Sequence, residues 1–195
     1  VRDIVAHLIG AAEATASLRE QLRQQRWGGR NRGDGTQLDA VNRLQVEERR
    51  ELSTSELRRQ LAGAAIRGGR ARSSMPALLR ALRLPSPPPV GWISLGFLNG
   101  TVYTRDAWMH RVDICRATGL PFELTADHDG SIIADAAHAW LRATGAPGLV
   151  LTGPVGRTVG SPGADEALVF DAVEFARALS GRAQFSGVSA DVVLF

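Results

Sequence analysis

The chain has 195 residues, of which 44% are hydrophobic and 22% charged, a composition that excludes disordered and collagen-like chains. The formal net charge is +3, and all 23 basic residues are arginines. A single cysteine, Cys115, excludes a disulfide framework and a cysteine-rich metal site and favours a reducing compartment, so we expect a cytoplasmic protein.

The first half of the chain has helical periodicity and ends at a proline-rich segment. Apolar and small residues recur at alternating spacings of four and three and predict a first helix over about residues 1–27. Glycines predict a loop over 27–35, and a second helix is predicted over about 36–51. A capping-box pattern at 53–56 predicts the start of a third helix. The segment 84–89 predicts a stiff linker that no helix can cross.

The second half begins with two strong helices and then changes period. Residues 94–118 predict a long helix that ends at Gly119, and residues 130–144 predict another that ends at Gly145. Beyond them, short apolar runs predict three strands and one short helix, at 149–152, 167–170, 192–195 and 171–179 respectively.

This order of elements predicts an α+β protein with two domains. Residues 1–119 are expected to form an up-down helical bundle, and residues 120–195 a small α+β C-terminal domain. Because Val1 is not a methionine and the first helix has no cap before it, we expect that one bundle helix precedes this sequence.

The predicted helix over 94–118 carries a stripe of polar residues. At ~100° per residue the stripe lies within an arc of about 80° and contains Asn99, Tyr103, Asp106, His110, Asp113 and Ala117. The opposite half of the helix carries Arg105 and Arg111 and is expected to face water. The Asp–His stripe is therefore expected to point at least partly inward, where a carboxylate and an imidazole need hydrogen bonds, an ion pair or a metal.

Asp106 and His110 are the first two candidates for metal ligands. They lie one helical turn apart, the spacing at which a helix offers two ligands to one ion. His7 is the candidate third ligand, because it flanks the apolar side of the first helix and the small residues Gly10 and Ala11 leave room for a cavity. Two histidines and one carboxylate are typical of a catalytic metal with open positions. The residues alone leave open that Asp106 and His110 are an intrahelical pair and His7 a satisfied core histidine.

Four segments of the chain together resemble one family; they lie at residues 1–10, 39–43, 95–114 and 171–182. The family is that of the mycothiol-dependent maleylpyruvate isomerases, DinB-like metal-binding four-helix bundles with a small C-terminal α+β domain. The resemblance covers nearly the whole chain. It implies a divalent metal, most often zinc, held by His7, Asp106 and His110. Asp106 stands where the named isomerase has glutamate, which leaves the identity of the metal open.

The resemblance also implies a function. A metal with an open position would bind the small thiol mycothiol and lower its pKa, so that a thiolate could attack a small electrophilic substrate in an isomerisation or an S-transfer. Arg182 is the candidate for a family arginine that binds substrate carboxylates, and a solvated cation at a helix end is its alternative. The competing function is a metal-binding bundle that has lost catalysis and serves as a regulatory or interaction module.

Asp113 is a further candidate site residue, which follows from its position alone. It lies one turn beyond His110, where it could accept a hydrogen bond from the imidazole ring. An ion pair with Arg116, three residues later, is the alternative.

The uneven distribution of arginine suggests nucleic acid as a rival partner. Residues 1–83 hold 16 arginines and 9 acidic residues, whereas residues 84–195 hold 7 and 11. The arginines alternate with Glu and Gln on amphipathic helices, without interleaved aromatics or a recognition motif, so we expect neither nucleic acid nor membrane as a partner. No folding requirement removes lysine, so we attribute its absence to a GC-rich genome such as that of an actinobacterium, which agrees with a mycothiol partner.

Overall fold

The computed structural model describes residues 1–85, 91–163, 167–188, 193 and 195. The chain divides into two compact units, one of Val1–Leu82 with Ser94–Gly100 and one of Arg83–Ile93 with Thr101–Phe195. Helices dominate both, with short strands in the second, so the predicted α+β class is confirmed. Residues 86–89 of the predicted linker, and residues 192 and 194 of the predicted strand at 192–195, lie outside the described residues. Among the described residues, no helix combines the length and the apolar character that a bilayer crossing requires.

The first unit consists of helices. They are α1 (Arg2–Ala16), α2 (Leu18–Asn31), α3 (Gln37–Glu47), α4 (Thr54–Ser73), α5 (Ala77–Ala81) and the short α6 (Leu95–Phe97). Helix α1 contacts α2, α3 and α4. The apolar cluster between α1 and α4 contains the small residues Ala6 and Ala64 beside Ile9 and Leu57, which allows the two helices to approach closely.

The predicted helix over 1–27 is in fact two helices. The chain breaks at Ser17, whose backbone is extended (φ −144°) and whose Oγ accepts a hydrogen bond from the N–H of Glu20. The periodicity therefore does not continue past this point, and Leu18 and Leu22 are exposed rather than buried. Serine is a preferred N-cap, and its side chain here begins a new helix axis.

The predicted loop over 27–35 is wrong in its first part, because α2 continues to Asn31. Gly28 is buried within this helix, and a Cβ at that position would lie 2.6 Å from Cγ2 of Val41. The glycine therefore allows α2 to pack against α3, and its role is close approach rather than a turn.

The predicted capping box at 53–56 is confirmed. The Oγ of Ser53 accepts from the N–H of Glu56 at 3.3 Å, and the carboxylate of Glu56 accepts from the N–H of Ser53 at 2.8 Å. Hydrogen bonds from the hydroxyl and the backbone of Ser53 lower the pKa of the Glu56 carboxyl. Thr36 and Asp39 form the same motif at the start of α3.

The second unit combines helices with two small sheets. Its elements are β1 (Arg83–Pro85), β2 (Trp92–Ser94), α7 (Tyr103–Thr118), α8 (Asp129–Thr144), β3 (Gly148–Thr152), β4 (Arg157–Gly160), β5 (Leu168–Asp171) and α9 (Ala172–Leu179). Strand β3 lies between β4, with which it is antiparallel, and β5, with which it is parallel. Strand β4 was not predicted, because the glycine-rich residues just before it, 153–156, indicate a turn. The predicted strands at 149–152 and 167–170 are confirmed to within one residue.

The predicted helix over 94–118 is confirmed, with one irregularity. Helix α6 continues through a π-helical segment, Leu98–Val102, into α7, which ends at Gly119 (φ 70°). A π-helical turn inserts a residue into the α-helical register. A helical wheel at a constant angle per residue therefore holds only from Tyr103 onward, and the predicted place of Asn99 in the polar stripe does not follow.

The prediction that the arginine-bearing side of α7 faces water is wrong for Arg105, whereas the side chain of Arg111 is 42% exposed. Arg105 is 2% exposed, and its guanidinium donates to Asp135 of α8 at 2.7 Å and lies 5.7 Å from the ring of Phe195. Trp108 is also buried, and its Nε1 donates to Asp129 at 2.8 Å. Helix α7 packs against α8, and burial on more than one side cannot be read from a wheel that assumes one buried face.

Asp129, at the start of α8, is a buried acceptor in this packing. Besides Trp108, it accepts from the guanidinium of Arg111 at 2.6 Å and from the N–H and hydroxyl of Thr125 at 2.7 and 3.0 Å. Burial by itself raises the pKa of the Asp129 carboxyl, but these bonds and the charge of Arg111 outweigh burial and lower it.

We expect Asp129→Asn to lower the free energy of unfolding by about 2–3 kcal/mol, because an NH2 group replaces one acceptor and the charge is lost. Since the pKa is lowered in the folded state, the ionic contribution is present above about pH 4 and is lost as the pH falls through the folded value. Urea unfolding at neutral and acidic pH measures both effects. The exposed Asp127→Asn is the matched control, and a deficit of equal size at both pH values would contradict the ionic contribution.

Candidate functional site

Asp106, His110 and Asp113 form a half-buried row along α7. Nε2 of His110 lies 3.4 Å from Oδ1 of Asp106, and Nδ1 lies 3.1 Å from Oδ2 of Asp113. The imidazole is thus held between two carboxylates at the helical spacings of four and three. Arg116, the alternative partner considered for Asp113, instead pairs with Glu174 at 2.9 Å.

Arg182 extends this row from beyond the end of α9. Its Nε donates to Oδ2 and Oδ1 of Asp113 at 2.9 and 3.1 Å, and its side chain is 28% exposed. Arg182 is therefore an ion-paired residue rather than a fully solvated cation. Through Asp113 it is connected to His110, 72 positions earlier in the sequence.

The electrostatics of the row follow from its two carboxylates. Burial by itself lowers the pKa of His110, but the hydrogen bond and the negative charge of Asp106 outweigh burial and raise it; Asp113 adds to this effect and Arg182 opposes it. Burial, together with the charge of Asp106, raises the pKa of Tyr103. The shift of the His110 pKa thus reflects the negative charge of Asp106, whereas the shift of the Tyr103 pKa is due first to burial.

His7 lies on α1, in the first unit, within a network of buried amides. Its Nδ1 is 2.7 Å from Oε1 of Gln45 on α3, and Nε2 of Gln45 donates to Oε1 of Gln24 on α2 at 2.8 Å. The predicted cavity beside Gly10 is filled, because the side chain of Gln45 occupies the space that a Cβ on Gly10 would need. The two glutamines were not identified from the sequence, where glutamine in a helix carries no distinguishing signal.

Of the predicted site residues, the structure brings Asp106, His110, Asp113 and Arg182 together within the second unit. His7 belongs to the first unit, where its Nδ1 lies 2.7 Å from Oε1 of Gln45. In both His7 and His110, Nδ1 lies at hydrogen-bond distance from a side-chain oxygen. In both rings, Nε2 is therefore the nitrogen that remains to bind a metal. A second hydrogen bond of this kind is usual for histidines that bind metals through the other nitrogen.

Comparison with known proteins adds four findings. A sequence profile described as the mycothiol maleylpyruvate isomerase N-terminal domain matches residues 1–115. Among solved structures, the crystal structure of a mycothiol-dependent maleylpyruvate isomerase matches with a TM-score of 0.50 and 18% identity, over 93% of this chain and 73% of that chain. A mutant of that isomerase matches with a TM-score of 0.49 and 17% identity, over the same shares. Comparison with curated proteins gives no match.

The structural similarity, at this identity, concerns the fold. The sequence profile covers more than half of the chain and ends within α7, beyond Asp106, His110 and Asp113. The chain therefore belongs to the mycothiol maleylpyruvate isomerase N-terminal domain family.

Proposed function

We propose that His7, Asp106 and His110 hold a divalent metal, with zinc as the expected ion. The observation that carries this proposal is the distance of 3.4 Å between Nε2 of His110 and Oδ1 of Asp106. Two ligands of a tetrahedral zinc at 2.0–2.1 Å lie about 3.3 Å apart, so these two atoms have the separation that one ion requires. Asp106, although shorter than the glutamate expected at this position of a maleylpyruvate isomerase, thus still offers an oxygen beside His110.

We propose that the protein is a thiol-dependent enzyme that uses mycothiol. A divalent cation bound by these residues would lower the pKa of a thiol at an open position, so that a thiolate is available at neutral pH. Membership of the family supports mycothiol as the thiol, and the arginine-only basic composition is consistent with an actinobacterial source. The single cysteine supports a cytoplasmic location.

For the substrate we propose a small electrophile that carries a carboxylate. The guanidinium of Arg182 would bind this carboxylate, and Asp113 would hold both Arg182 and His110 in place. In an isomerisation, the thiolate adds to one carbon of a cis double bond, the resulting single bond rotates, and the thiolate leaves to form the trans isomer. In an S-transfer by addition to such a double bond, the sulfur stays bound and the carbanion formed at the neighbouring carbon takes up a proton.

The domain division at residue 119 also remains a proposal. It assigns residues 1–119 to the metal-binding helical domain and residues 120–195 to the small α+β domain. The end of the family profile at residue 115, close to the end of α7 at Thr118, supports this boundary.

Metal analysis followed by a thiol-dependence assay tests the proposal. We expect the purified chain to contain about one divalent ion per molecule and to isomerise maleylpyruvate only when mycothiol is added. Elemental analysis and absorbance spectroscopy measure these outcomes. Protein without stoichiometric metal would contradict the proposal, and bound metal without thiol binding would instead support a regulatory or interaction module.

A further inference from the structure

We propose that Gln24 and Gln45 are positioning residues that set the tautomer of His7 and so decide which ring nitrogen can bind a metal. The three side chains come from α2, α3 and α1 and are joined by two hydrogen bonds. The tautomer follows from hydrogen bonds within the first unit, whereas its consequence for metal affinity rests on the function proposed above.

The direction of this chain of hydrogen bonds is set at its far end. Nε2 of Gln24 donates to the carbonyl oxygen of Gly10 at 3.0 Å and to Oε1 of Glu20 at 2.9 Å. Hydrogen bonding with Arg23 lowers the pKa of Glu20, which therefore remains a carboxylate. A carbonyl and a carboxylate can only accept, so the NH2 group of Gln24 must face them and its Oε1 must face Gln45.

The same reasoning then passes along the chain to His7. Because Oε1 of Gln24 can only accept, Gln45 must present its NH2 group there and its Oε1 to Nδ1 of His7. Nδ1 must therefore carry the proton, and in the neutral ring the lone pair is on Nε2. Gln24 and Gln45 are 1% and 3% exposed, so water cannot satisfy an amide that turns the wrong way.

The surroundings hold both amides in place. Arg23 on α2 forms ion pairs with Glu20 and with Glu48 at the end of α3, both at 2.6 Å. These ion pairs join α2 to α3 beside Gln24. The side chain of Gln45 lies against the backbone of α1 at Gly10, where any side chain would displace it. The orientation is thus imposed by three helices rather than by a single contact.

Gln24→Met tests the proposal while leaving Gln45, the hydrogen-bond partner of His7, in place. Without Oε1 of Gln24, the amide of Gln45 can turn in either direction, and we expect His7 to become a mixture of its two neutral tautomers. Loss of an orienting group typically weakens metal binding by about 10- to 100-fold, and we expect a loss in this range for zinc. The matched control is Gln25→Met, at the exposed neighbouring position of α2, for which we expect no change.

Long-range ¹H–¹⁵N NMR of the metal-free full chain at about pH 8, where an ordinary imidazole is neutral, reads the tautomer directly. His7→Ala assigns the signal, and chelator competition measures zinc affinity. We expect the Nδ1–H form in the wild type. A wild-type Nε2–H form, or an unchanged tautomer in Gln24→Met, would overturn the proposal. An Nδ1–H form in a chain that binds no zinc would support the tautomer assignment and contradict the proposed function.

A second variant keeps the test available should Gln24→Met not fold, as judged by circular dichroism. Gln45→Glu retains an acceptor beside Nδ1 of His7, so we expect the Nδ1–H tautomer to persist in it. Conversion of His7 to the Nε2–H form in Gln45→Glu would overturn the proposal.

Discussion

Replacement of His110 by alanine is expected to weaken zinc binding by roughly 100- to 1000-fold. Structural zinc sites bind with about 10–16 kcal/mol shared among four ligands, or roughly 2.5–4 kcal/mol for each ligand. His110 lies beside both Asp106 and Asp113, so its removal also takes away the partner that the two carboxylates share. Isothermal titration of the metal-free protein with zinc measures the loss.

His138→Ala is the matched control for this prediction. His138 is exposed on α8 in the same unit, and its replacement should leave zinc affinity unchanged. Circular dichroism shows whether both variants remain folded. Zinc affinity of wild-type strength in His110→Ala would exclude the proposed metal site, whereas an equal loss in both variants would indicate non-specific binding by histidine.

Arg182→Met is expected to lower kcat/KM for a carboxylate-bearing substrate by about 10- to 100-fold while the bound metal is retained. A hydrogen bond to a charged group contributes about 1.5–3 kcal/mol, which corresponds to this range of rates. Arg182→Lys should restore only part of the activity, because an ammonium lacks the planar fork of the guanidinium. Steady-state kinetics measure the contribution of Arg182 to substrate binding, and the metal content shows whether the metal is retained.

Arg116→Met is the control for Arg182→Met. Arg116 forms an ion pair with Glu174 in the same unit and is half exposed, so its loss tests for a general effect of removing an arginine ion pair. Full activity in Arg182→Met would contradict the proposed substrate contact. Loss of the metal in Arg182→Met would show instead that Arg182 acts through Asp113 on His110.

Local signals predicted a large part of the fold. The capping box at Ser53 and Glu56 and the helix ends at Gly119 and Gly145 depend on a few neighbouring residues, and all three are present. The break at Ser17 also has a local cause, but continuous periodicity on both sides concealed it.

Errors arose where a residue has a partner in a distant element. Gly28 indicates a loop until Val41 is seen to occupy the space beside it. Arg105 indicates a solvated surface until Asp135 of α8 is seen to pair with it. In both cases, the local pattern is compatible with two environments, and only the neighbouring element distinguishes them.

The sequence by itself determined the row of Asp106, His110 and Asp113, because the pitch of an α-helix brings residues three and four apart to one side whatever surrounds the helix. It also contained the segments by which the family was recognised. Only the tertiary structure decided that Arg182 binds Asp113 and that Gln45 binds His7. These contacts join residues 69 and 38 positions apart, and their formation depends on how separate elements pack rather than on the geometry of any one of them.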